Sequence, residues 1–460
     1  MDRKTSNFSS TLQEKLEGIS NERVIHYSLD RFHSVLNAVG NPEKSVKTMV
    51  TAGTNGKGTT SLLLSSAIEA SGARVGTYLS PHLQSPNERL LHNLVPVEEA
   101  EFEALVDEFK PLADKFRLTY FEFLTLVAFL WAQRAELDFL VLEVGLGGRL
   151  DATNVTTPIA SLITNIDWDH QQWLGDSLEA IFNEKFAVVP PESLCFTGIK
   201  QRKLGEELIR RCDAIDTIYY FTRELRVVEG ISRDWFGQSF SINGFPFSSV
   251  CPTPGAVQST LLAYLAARIV FPKLSVPQLQ EAFARVKNPG RFEVVQEDPL
   301  VILSGDHNPA GVECLLQTLE QLPKKGDLRI LCAFSPDKPF QAMFERLKNV
   351  ASEITLTIIP RLRDALPASY FEMAKVHYDP VEALESLILR SGKDDVVLVT
   401  GSLYLVGEVR SLWKRRADFL TNPKLHHLPA VSKSDVPNPT TPRQEEVPQT
   451  NAPTSRGAAP

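Results

Sequence analysis

The 460-residue sequence has few cysteines and no long apolar run. The five cysteines are Cys195, Cys212, Cys251, Cys314 and Cys332. They are scattered and odd in number, and no two have the spacing of a metal site, which favours reduced thiols in a cytosolic protein. No apolar stretch has the length needed to cross a membrane, and the polar first 20 residues lack the apolar centre of a signal peptide. We therefore expect a cytoplasmic protein that does not bind membranes.

Positive charge is also scarce in this chain. Lys and Arg number 48 against 56 Asp and Glu, which gives a formal net charge of −8. This balance argues against a general nucleic-acid surface, although it permits a local basic pocket. Apolar residues make up 43% and charged residues 23% of the chain, as in ordinary globular proteins. The length predicts two or three domains with ample core.

The most informative stretch is a glycine-rich loop that separates an apolar run from a helical pattern. It reads Gly53, Thr54, Asn55, Gly56, Lys57, Gly58, Thr59 and Thr60. Glycines let backbone N–H groups approach a phosphate closely, and the N-terminus of the next helix adds positive potential. Lys57 can reach the outer phosphates, while the hydroxyl of Thr59 or Thr60 can bind Mg²⁺. The alternative, a tight turn without a ligand, needs only one glycine and no lysine.

A second glycine-rich stretch, residues 145–154, follows another predicted strand. That strand, residues 139–142, is apolar enough to be covered on both faces of a parallel sheet. Glu143 stands at its carboxyl end, where an acid can approach a metal ion held on the first glycine loop. On the alternative interpretation, Glu143 is a strand-end carboxylate that accepts hydrogen bonds from neighbouring N–H groups.

A third predicted strand, residues 159–166, ends at an acidic patch with one histidine, His170. A lone histidine is often a structural residue, but its position among acids after a buried strand suits a metal ligand equally, so both interpretations stay open. The next predicted helix, residues 176–186, carries Glu184 and Lys185 near its C-terminus. A lysine there is favourable to the helix dipole whatever its function.

Two further stretches place polar groups beside predicted elements. Residues 80–89 follow a predicted strand at the edge where open α/β sheets bind ligands, although a polar surface loop fits the composition equally. Residues 121–135 predict a strongly apolar core helix. Glu122 lies at its start, where the helix dipole favours a carboxylate regardless of function.

The order of the patterns predicts two α/β units and a tail. Residues 187–250 alternate short strands and turns, and the Pro–Gly turn within residues 287–293 predicts a hinge. From about residue 294, strands and helices alternate as in a mostly parallel sheet with helices on both faces. Residues 422–460 are rich in Pro, Ser and Thr, so we expect a disordered tail. A proline-rich ligand for a partner domain is the alternative for that tail.

Several of these stretches together resemble folylpolyglutamate synthase and dihydrofolate synthase, a family of Mur-ligase-like ATP-dependent amide ligases. The matching stretches follow the family's order over about residues 45 to 405. They are residues 53–59, Ser80-Pro81-His82-Leu83 with Glu88-Arg89, Phe121-Glu122, residues 143–154, Asp169-His170 with Leu174-Gly175, Glu184-Lys185, residues 289–293 and His307-Asn308-Pro309. One such motif is weak evidence, whereas the ordered set is specific. The resemblance also accounts for Gly58, which separates the lysine from the first hydroxyl.

The resemblance implies an α/β fold with two domains. Residues 1–293 would form a P-loop, Mur-ligase-like ATP-binding domain with a mostly parallel sheet. Residues 294–421 would form a smaller, Rossmann-like glutamate-ligase domain, followed by the tail over 422–460. The implied reaction adds L-glutamate to dihydropteroate, to folates or to both, with ATP as the substrate that activates the carboxylate as an acyl phosphate. On this basis the partners are small molecules, and we expect a monomer that binds neither nucleic acid nor membranes.

The resemblance further implies roles for residues of the first domain. Lys57 and the amides of the glycine loop would bind the ATP phosphates. Thr59 and Glu143 would bind one Mg²⁺ ion, and His170 would help to bind a second. Lys185 would be carbamylated and would supply a carboxylate to the metal site.

Other roles implied by the resemblance concern the hinge, the second domain and the acceptor. Arg291 and His307 would complete the phosphate pocket. The implied folate-binding residues are Ser80, Pro81, His82, Leu83, Phe121, Glu122 and Asp151.

Two positions depart from the family's pattern. The family usually has Asp-Gly-Ala-His-Asn-Pro, whereas this chain has Ser304-Gly305-Asp306 before the histidine. The acid that would contact the nucleotide is thus displaced by two residues, and Asp306 becomes the candidate for its role. The family's His-Gln before the adenine-contacting helix is Val257-Gln258 here, and Leu261 stands where an asparagine is common. The sequence therefore assigns the phosphate chemistry and leaves the adenine contacts open.

Two other functions are compatible with parts of the pattern. A Mur-type ligase would join an amino acid to a cell-wall precursor, but the motifs at 80–83 and 121–122 speak against it. A nucleotide-binding switch or scaffold without turnover is suggested by the departures at Ser304 and Leu261. A ligase hydrolyses ATP in a glutamate-dependent reaction, whereas a switch only binds the nucleotide.

Overall fold

The computed structural model describes residues 28–323, 325–414 and 417–420, together with Leu12, Lys15, Leu16, Gly18 and Ile19 near the start. The predicted tail, 422–460, lies outside these residues. The described α-helices are α1 (Asp30–Ala38), α2 (Lys57–Ala70), α3 (Glu99–Phe116), α4 (Tyr120–Arg134), α5 (Gln171–Leu174), α6 (Leu178–Phe186), α7 (Arg202–Ala214), α8 (Pro254–Val270), α9 (Val276–Ala284), α10 (Pro309–Gln321), α11 (Phe340–Lys348), α12 (Ala368–Glu372), α13 (Pro380–Arg390) and α14 (Leu403–Arg410). None of them is both long and apolar enough to cross a membrane.

The strands form three sheets. They are β1 (Lys47–Ala52), β2 (Val75–Tyr78), β3 (Leu90–His92), β4 (Val95–Pro96), β5 (Phe139–Glu143), β6 (Ala160–Ile163), β7 (Leu194–Thr197), β8 (Ile218–Phe221), β9 (Val227–Asp234), β10 (Gly237–Ile242), β11 (Phe245–Ser249), β12 (Glu293–Gln296), β13 (Leu300–Ser304), β14 (Leu328–Cys332), β15 (Glu353–Thr357), β16 (Val376–His377) and β17 (Val396–Thr400). Two of the sheets are mostly parallel, and the third is a small antiparallel one.

The larger sheet has the strand order β4–β3–β2–β5–β1–β6–β7–β8. In this order the last six strands, β2, β5, β1, β6, β7 and β8, run parallel. β1 lies among them with Met49, Val50 and Ala52 fully buried, as expected for a strand covered on both faces. Thr51 pairs with Glu143 on one side and with Leu162 on the other. This register brings the carboxyl ends of β1, β5 and β6 to one edge, where ligands of open α/β sheets bind.

Helices cover both faces of this sheet. On one face, α2, α8 and α9 contribute Leu62, Leu265 and Leu279 to one apolar core. On the opposite face, α1, α3 and α4 contribute Phe32, Val106 and Phe129 to a second core. The sheet is thus held rigidly between two packed layers, which fixes the loops at its carboxyl edge.

The prediction of short strands and turns over 187–250 is wrong in one segment. β7 to β11 are strands, and β11–β10–β9 form the small antiparallel sheet. Between them α7 is a helix, because Leu204, Leu208 and Cys212 recur every four residues and pack on the sheet. This narrow apolar stripe lies among many charged residues, which obscure the helical period in the sequence.

The second domain has the strand order β12–β13–β17–β14–β15–β16, in which only β12 is antiparallel to its neighbour. Alternate residues of β13 face opposite sides, with Ile302 in one apolar core and Val301 in the other. The predicted α/β class with two mostly parallel sheets is confirmed. The proposed boundary after Glu293 falls one residue inside β12.

A buried arginine joins two elements of the second domain and also contacts the first domain. Arg410 on α14 has no exposed surface, and its Nε and Nη2 donate to the two oxygens of Glu293 at 2.8 and 2.9 Å. Its Nη1 donates to Oε1 of Gln84 in the first domain at 2.5 Å. A fork of this kind is strong because it is charge-assisted and bidentate.

Replacing Arg410 with alanine removes the principal partner of the Glu293 carboxylate, which is only 10% exposed. We expect Arg410→Ala to lower the free energy of unfolding of the second domain by roughly 3–5 kcal/mol, because a buried charge loses its pair. Urea unfolding followed by circular dichroism measures the change. The control is Arg202→Ala, which breaks an exposed ion pair with Glu206 and should leave the free energy of unfolding nearly unchanged. Equal losses in the two variants would contradict the prediction.

Candidate active site

The glycine loop connects β1 to α2 in a conformation that only glycine adopts easily. Gly53 has φ +148°, and a Cβ atom on it would lie 1.8 Å from Oγ1 of Thr164. Gly56, with φ +82°, precedes the first residue of α2, Lys57. Lys57 Nζ donates to the carbonyl oxygens of Gly53 and Thr54, both at 3.1 Å. Burial lowers the pKa of Lys57, although Glu143 opposes the shift.

Glu143 lies directly against this loop, as its position at the end of β5 predicts. A Cβ atom on Gly58 would stand 3.2 Å from Oε2 of Glu143, so a side chain there would displace the carboxylate. The same oxygen accepts a hydrogen bond from the Ser80 N–H at 2.9 Å. Burial raises the pKa of Glu143, an effect that Lys57 partly offsets. One oxygen is therefore bonded to a neighbouring N–H, as the alternative interpretation expects, while the carboxylate also faces the loop.

The two candidate hydroxyls differ in their surroundings. Thr59 Oγ1 accepts a hydrogen bond from Nδ2 of Asn288 in the hinge at 3.0 Å. Thr60 is fully buried, and its Oγ1 has no hydrogen-bond partner in the described part of the chain. Asn288 is a site residue that the sequence analysis missed, because it lies more than 200 positions along the chain from Thr59.

Lys185 reaches the loop from α6. It is 4% exposed, and its Nζ donates to the Gly53 carbonyl oxygen at 2.9 Å. Burial, assisted by the nearby Lys57 ammonium, lowers the pKa of Lys185 to about 7. α6 approaches this closely because residue 148 is glycine, since a Cβ there would lie 2.6 Å from the carbonyl oxygen of Glu184. Lys185 therefore contacts the glycine loop directly, in addition to its favourable position in the helix dipole.

The acidic patch after β6 is bonded to the second domain. Lys338 Nζ lies 2.5 Å from Oδ1 of Asp169 and 3.2 Å from Nε2 of His170. Burial and the Lys338 ammonium lower the pKa of His170 to about 3, so its imidazole is neutral at pH 7. Burial by itself raises the pKa of Asp169, but His170 and Lys338 hold it well below its ordinary value. No motif marks Lys338 in the sequence as a site residue. The only indication is its place in a loop after the buried strand β14.

The hinge and the second domain supply three of the predicted groups. Arg291 Nη1 donates to the Gly305 carbonyl oxygen at 3.1 Å, and His307 Nδ1 lies 2.9 Å from the same atom. Burial, together with Lys338 and Arg291, lowers the pKa of His307 to about 4. Ser304 Oγ donates to Oδ2 of Asp306 at 2.6 Å, while burial raises the pKa of that carboxyl.

A cavity of about 520 Å³ joins these groups across the two domains. Its lining includes residues 54–59, Glu143, Asp169 and His170 from the first domain, together with Arg291, Asp306 and His307. The lining also includes Cys251, Gly255, Ala256, Gly311 and Cys314. Val257 and Leu261, which depart from the family's pattern, instead pack inside the apolar core.

The predicted acceptor loop lies between the domains. Ser80 and Pro81, joined by a cis peptide bond, line the large cavity, and His82 and Leu83 line a smaller one beside it. The His82 ring is buried, and its Nδ1 accepts a hydrogen bond from Nε of Arg89 at 3.0 Å. Burial, assisted by Arg89, lowers the pKa of His82 well below its ordinary value.

Three of the predicted acceptor residues have structural contacts and do not line the described cavities. Glu122 accepts a hydrogen bond from the Thr119 N–H at 2.7 Å, and Arg31 contacts it at 2.5 Å. Asp151 accepts four hydrogen bonds, from the N–H groups of Gly145, Leu146 and Thr153 and from the Thr153 hydroxyl. The Phe121 ring packs on Gly145, where a Cβ would lie 2.7 Å from it. Asp151 and Phe121 thus hold the second glycine stretch in place, whereas Glu122 caps the start of α4.

A glycine loop with a lysine in one α/β domain, facing a second α/β domain across a shared cavity, suits a Mur-type ATP-dependent ligase. The Mur ligase middle domain family matches residues 50–195, and the family described as Mur ligase, glutamate ligase domain matches residues 290–403. The chain is 30% identical over 410 residues to dihydrofolate synthase/folylpolyglutamate synthase of Bacillus subtilis, which covers 84% of this chain and 95% of the relative. It is 31% identical over 424 residues to the Escherichia coli protein of the same name, covering 88% and 96%.

Solved structures agree with these relatives. Folylpolyglutamate synthase of Mycobacterium tuberculosis complexed with ADP and AMPPCP superposes with a TM-score of 0.79 at 27% identity, covering 89% of this chain and 99% of that one. Escherichia coli FolC in complex with DHPP and ADP gives 0.75 at 28% identity, covering 90% and 99%. The chain therefore belongs to the dihydrofolate synthase/folylpolyglutamate synthase family and is an ATP-dependent amide ligase, which confirms the resemblance found in the sequence.

Lys57 is the most direct test of the glycine loop. We expect Lys57→Ala to lower glutamate-dependent ADP release by at least ~10²-fold, because one donor to a developing phosphate charge is removed. The fold should be retained, since burial already disfavours this ammonium. Lys203→Ala, which removes an exposed lysine on α7, is the control and should leave the rate unchanged. Wild-type turnover by Lys57→Ala would remove the loop from the mechanism.

Proposed function

We propose that this protein attaches L-glutamate to the carboxyl group of dihydropteroate and of reduced folates in an ATP-dependent reaction. The observation that carries the proposal is the shared cavity, in which Lys57 and Glu143 of the first domain face Arg291 and His307. The names of the relatives support both acceptors, since several are called dihydrofolate synthase/folylpolyglutamate synthase.

The reaction needs activation because oxide is a poor leaving group from a carboxylate. An acceptor carboxylate oxygen attacks the γ-phosphorus of ATP, so that a new O–P bond forms while the bond to the bridging oxygen breaks and ADP leaves. The glutamate amine then attacks the acyl carbon of the acyl phosphate. A C–N bond forms, the amine loses a proton, and phosphate leaves with the electron pair of the C–O bond.

In this proposal the chain's own residues position and neutralise the phosphates. Lys57 and the N–H groups of the loop from Gly53 to Thr60 bind the triphosphate, while Arg291 reaches it from the hinge. His307 stands beside the phosphates as a neutral side chain, and Asp306 faces the nucleotide in place of the displaced acid. Closure of the second domain over the first excludes water, which would otherwise hydrolyse the acyl phosphate.

Thr59, Glu143 and His170 are the residues that would hold two Mg²⁺ ions. In the described part of the chain, His, Cys, Asp and Glu side chains form no group of three or more that could hold a metal ion by themselves. This agrees with Mg²⁺, which usually takes one or two protein ligands and completes its shell with phosphate oxygens and water. Thr59, Glu143 and His170 all line the cavity, so their oxygen and nitrogen atoms are available to a bound ion. When bound, the ions would neutralise the phosphate charge.

We also propose that Lys185 is carbamylated. Its pKa of about 7 leaves a large fraction of the amine neutral at pH 7, and only the neutral amine adds to CO2. The nitrogen forms a bond to the CO2 carbon and releases a proton, which leaves a carboxylate in place of an ammonium. This change of sign would remove the repulsion between Lys185 and Lys57 and add a ligand oxygen to the metal site.

The acceptor would bind along the loop formed by Ser80, Pro81, His82 and Leu83, with Phe121, Glu122 and Asp151 supporting it from behind. The division into an ATP-binding domain over 1–293 and a ligase domain over 294–421 belongs to the same proposal. We further propose that the protein works as a monomer in the cytoplasm, on small molecules and not on nucleic acid or membranes. The net charge of −8 supports this choice of partners.

The reaction is tested by incubating the protein with ATP, Mg²⁺, L-glutamate and either dihydropteroate or tetrahydrofolate. We expect ADP release that depends on both acceptor and glutamate, and products that mass spectrometry shows to be one or more glutamyl residues heavier. Separate product spectra for the two acceptors decide whether one or both are used. ATP binding without substrate-dependent ADP release under any of these conditions would end the proposal and favour a switch.

Carbamylation is tested with ¹³C-labelled CO2. We expect a carbamate signal in the NMR spectrum of the wild-type protein that grows as the pH rises through about 7, because the neutral amine fraction rises with pH. Lys185→Ala should lack the signal and lose activity. Added acetate or formate should restore part of the activity by supplying a carboxylate. A spectrum identical in the two proteins would rule the modification out.

A further inference from the structure

The second domain inserts a lysine into the acidic patch of the first. Lys338 lies in the loop after β14, and its side chain is only 6% exposed. Its ammonium is 2.5 Å from Oδ1 of Asp169, whose side chain is 8% exposed, and 3.2 Å from Nε2 of His170. Both partners belong to the loop that follows β6, so this contact joins the two domains.

A second donor from the same domain holds the other oxygen of that carboxylate. Asn308 Nδ2 donates to Oδ2 of Asp169 at 3.1 Å and to Oδ1 of Asn55 on the glycine loop at 2.9 Å. Asn55 Nδ2 donates back to Oδ1 of Asn308 at 3.3 Å. Asp169 is therefore held from two sides by the second domain, and one of its partners also touches the phosphate loop.

Lys338 differs from the other cations of the site in its position. Among the described residues that line the large cavity are Asp169 and His170, whereas Lys338 is not one of them. Its ammonium reaches these two side chains from the second domain. Lys338 therefore contacts Asp169 and His170, which line the cavity, without lining it itself.

We propose that Lys338 is a positioning residue that links domain closure to the site: on closure, its ammonium pairs with Asp169 and so fixes the Asp169–His170 end of the cavity. A buried cation and a buried carboxylate from different domains are both costly to leave unpaired, so this contact forms only when the domains are closed. The kinetic part of the inference rests on the proposed function, whereas the structural part, that Lys338 holds the loop after β6, does not.

The structural part is tested without substrate, by hydrogen exchange of the full chain measured by mass spectrometry. Lys338→Met removes the charge and keeps the length of the side chain. We expect peptides that contain residues 165–170 to exchange at least ~10-fold faster in this variant, because the loop loses its partner and opens locally. The control, Lys348→Met, removes a lysine that is 53% exposed on α11 of the same domain and should leave the exchange unchanged.

The kinetic part separates positioning from general damage. We expect Lys338→Met to lower kcat/KM for glutamate on the order of 10²-fold, because misplacement of groups in the site is costly. The Kd for ATP should change by less than ~5-fold, since the glycine loop lies in the first domain. Lys338→Arg keeps the charge and should recover most of the loss. Asp169→Asn combined with Lys338→Met should be little worse than Asp169→Asn alone, because that change already removes the charged partner of Lys338.

The outcomes are distinguishable from those of the proposed function. Unchanged exchange at 165–170 in Lys338→Met overturns the inference whatever the activity shows. Faster exchange with unchanged kcat/KM for glutamate overturns the positioning role. If the wild-type protein shows no glutamate-dependent ADP release, the proposed function fails, while the exchange experiment still decides whether Lys338 holds the loop.

Discussion

Two lysine side chains share one carbonyl oxygen, that of Gly53, and the rest of the site depends on this contact. Lys57 reaches it at 3.1 Å from the start of α2, and Lys185 reaches it at 2.9 Å from α6. Two positive charges this close repel strongly in a poorly solvated place, and burial lowers the pKa of both. Glu143 opposes the lowering of the pKa of Lys57, and Asp169 opposes it at both lysines, so nearby carboxylates reduce the repulsion.

The sheet makes this arrangement possible because it fixes where each loop begins. β1, β5 and β6 are adjacent and parallel, so the glycine loop, Glu143 and the acidic patch all start from the same edge. Close packing between the loops requires small residues at a few points. Gly53 and Gly58 are two of them, since a Cβ on the first would meet Thr164 and a Cβ on the second would meet Glu143.

The hinge and the second domain complete the site, and three of their contacts show how. Asn288 bonds Thr59, Lys338 bonds Asp169, and the loop around Leu83 packs against the second domain, where a Cβ on Gly407 would lie 2.0 Å from the Leu83 carbonyl oxygen. The loop at residues 80–83 and the glycine loop are thus both in contact with the second domain. In the proposed reaction, the positions of the acceptor and of the nucleotide would therefore be coupled through domain closure.

Sequence alone determined the α/β class, the buried strands, the two glycine-rich stretches and the family, because each depends on local apolar period or on residue spacing within a motif. It also placed Glu143 beside the glycine loop, since carboxyl ends of neighbouring parallel strands share an edge. The roles that the sequence assigns to the other site residues stay predictions. Local pattern missed α7, whose narrow apolar stripe lies among charges. Only the tertiary structure revealed Asn288, Asn308 and Lys338 in the site, because their partners are 139 to 253 positions away in the chain and nothing in a linear pattern states which polar loops will face each other.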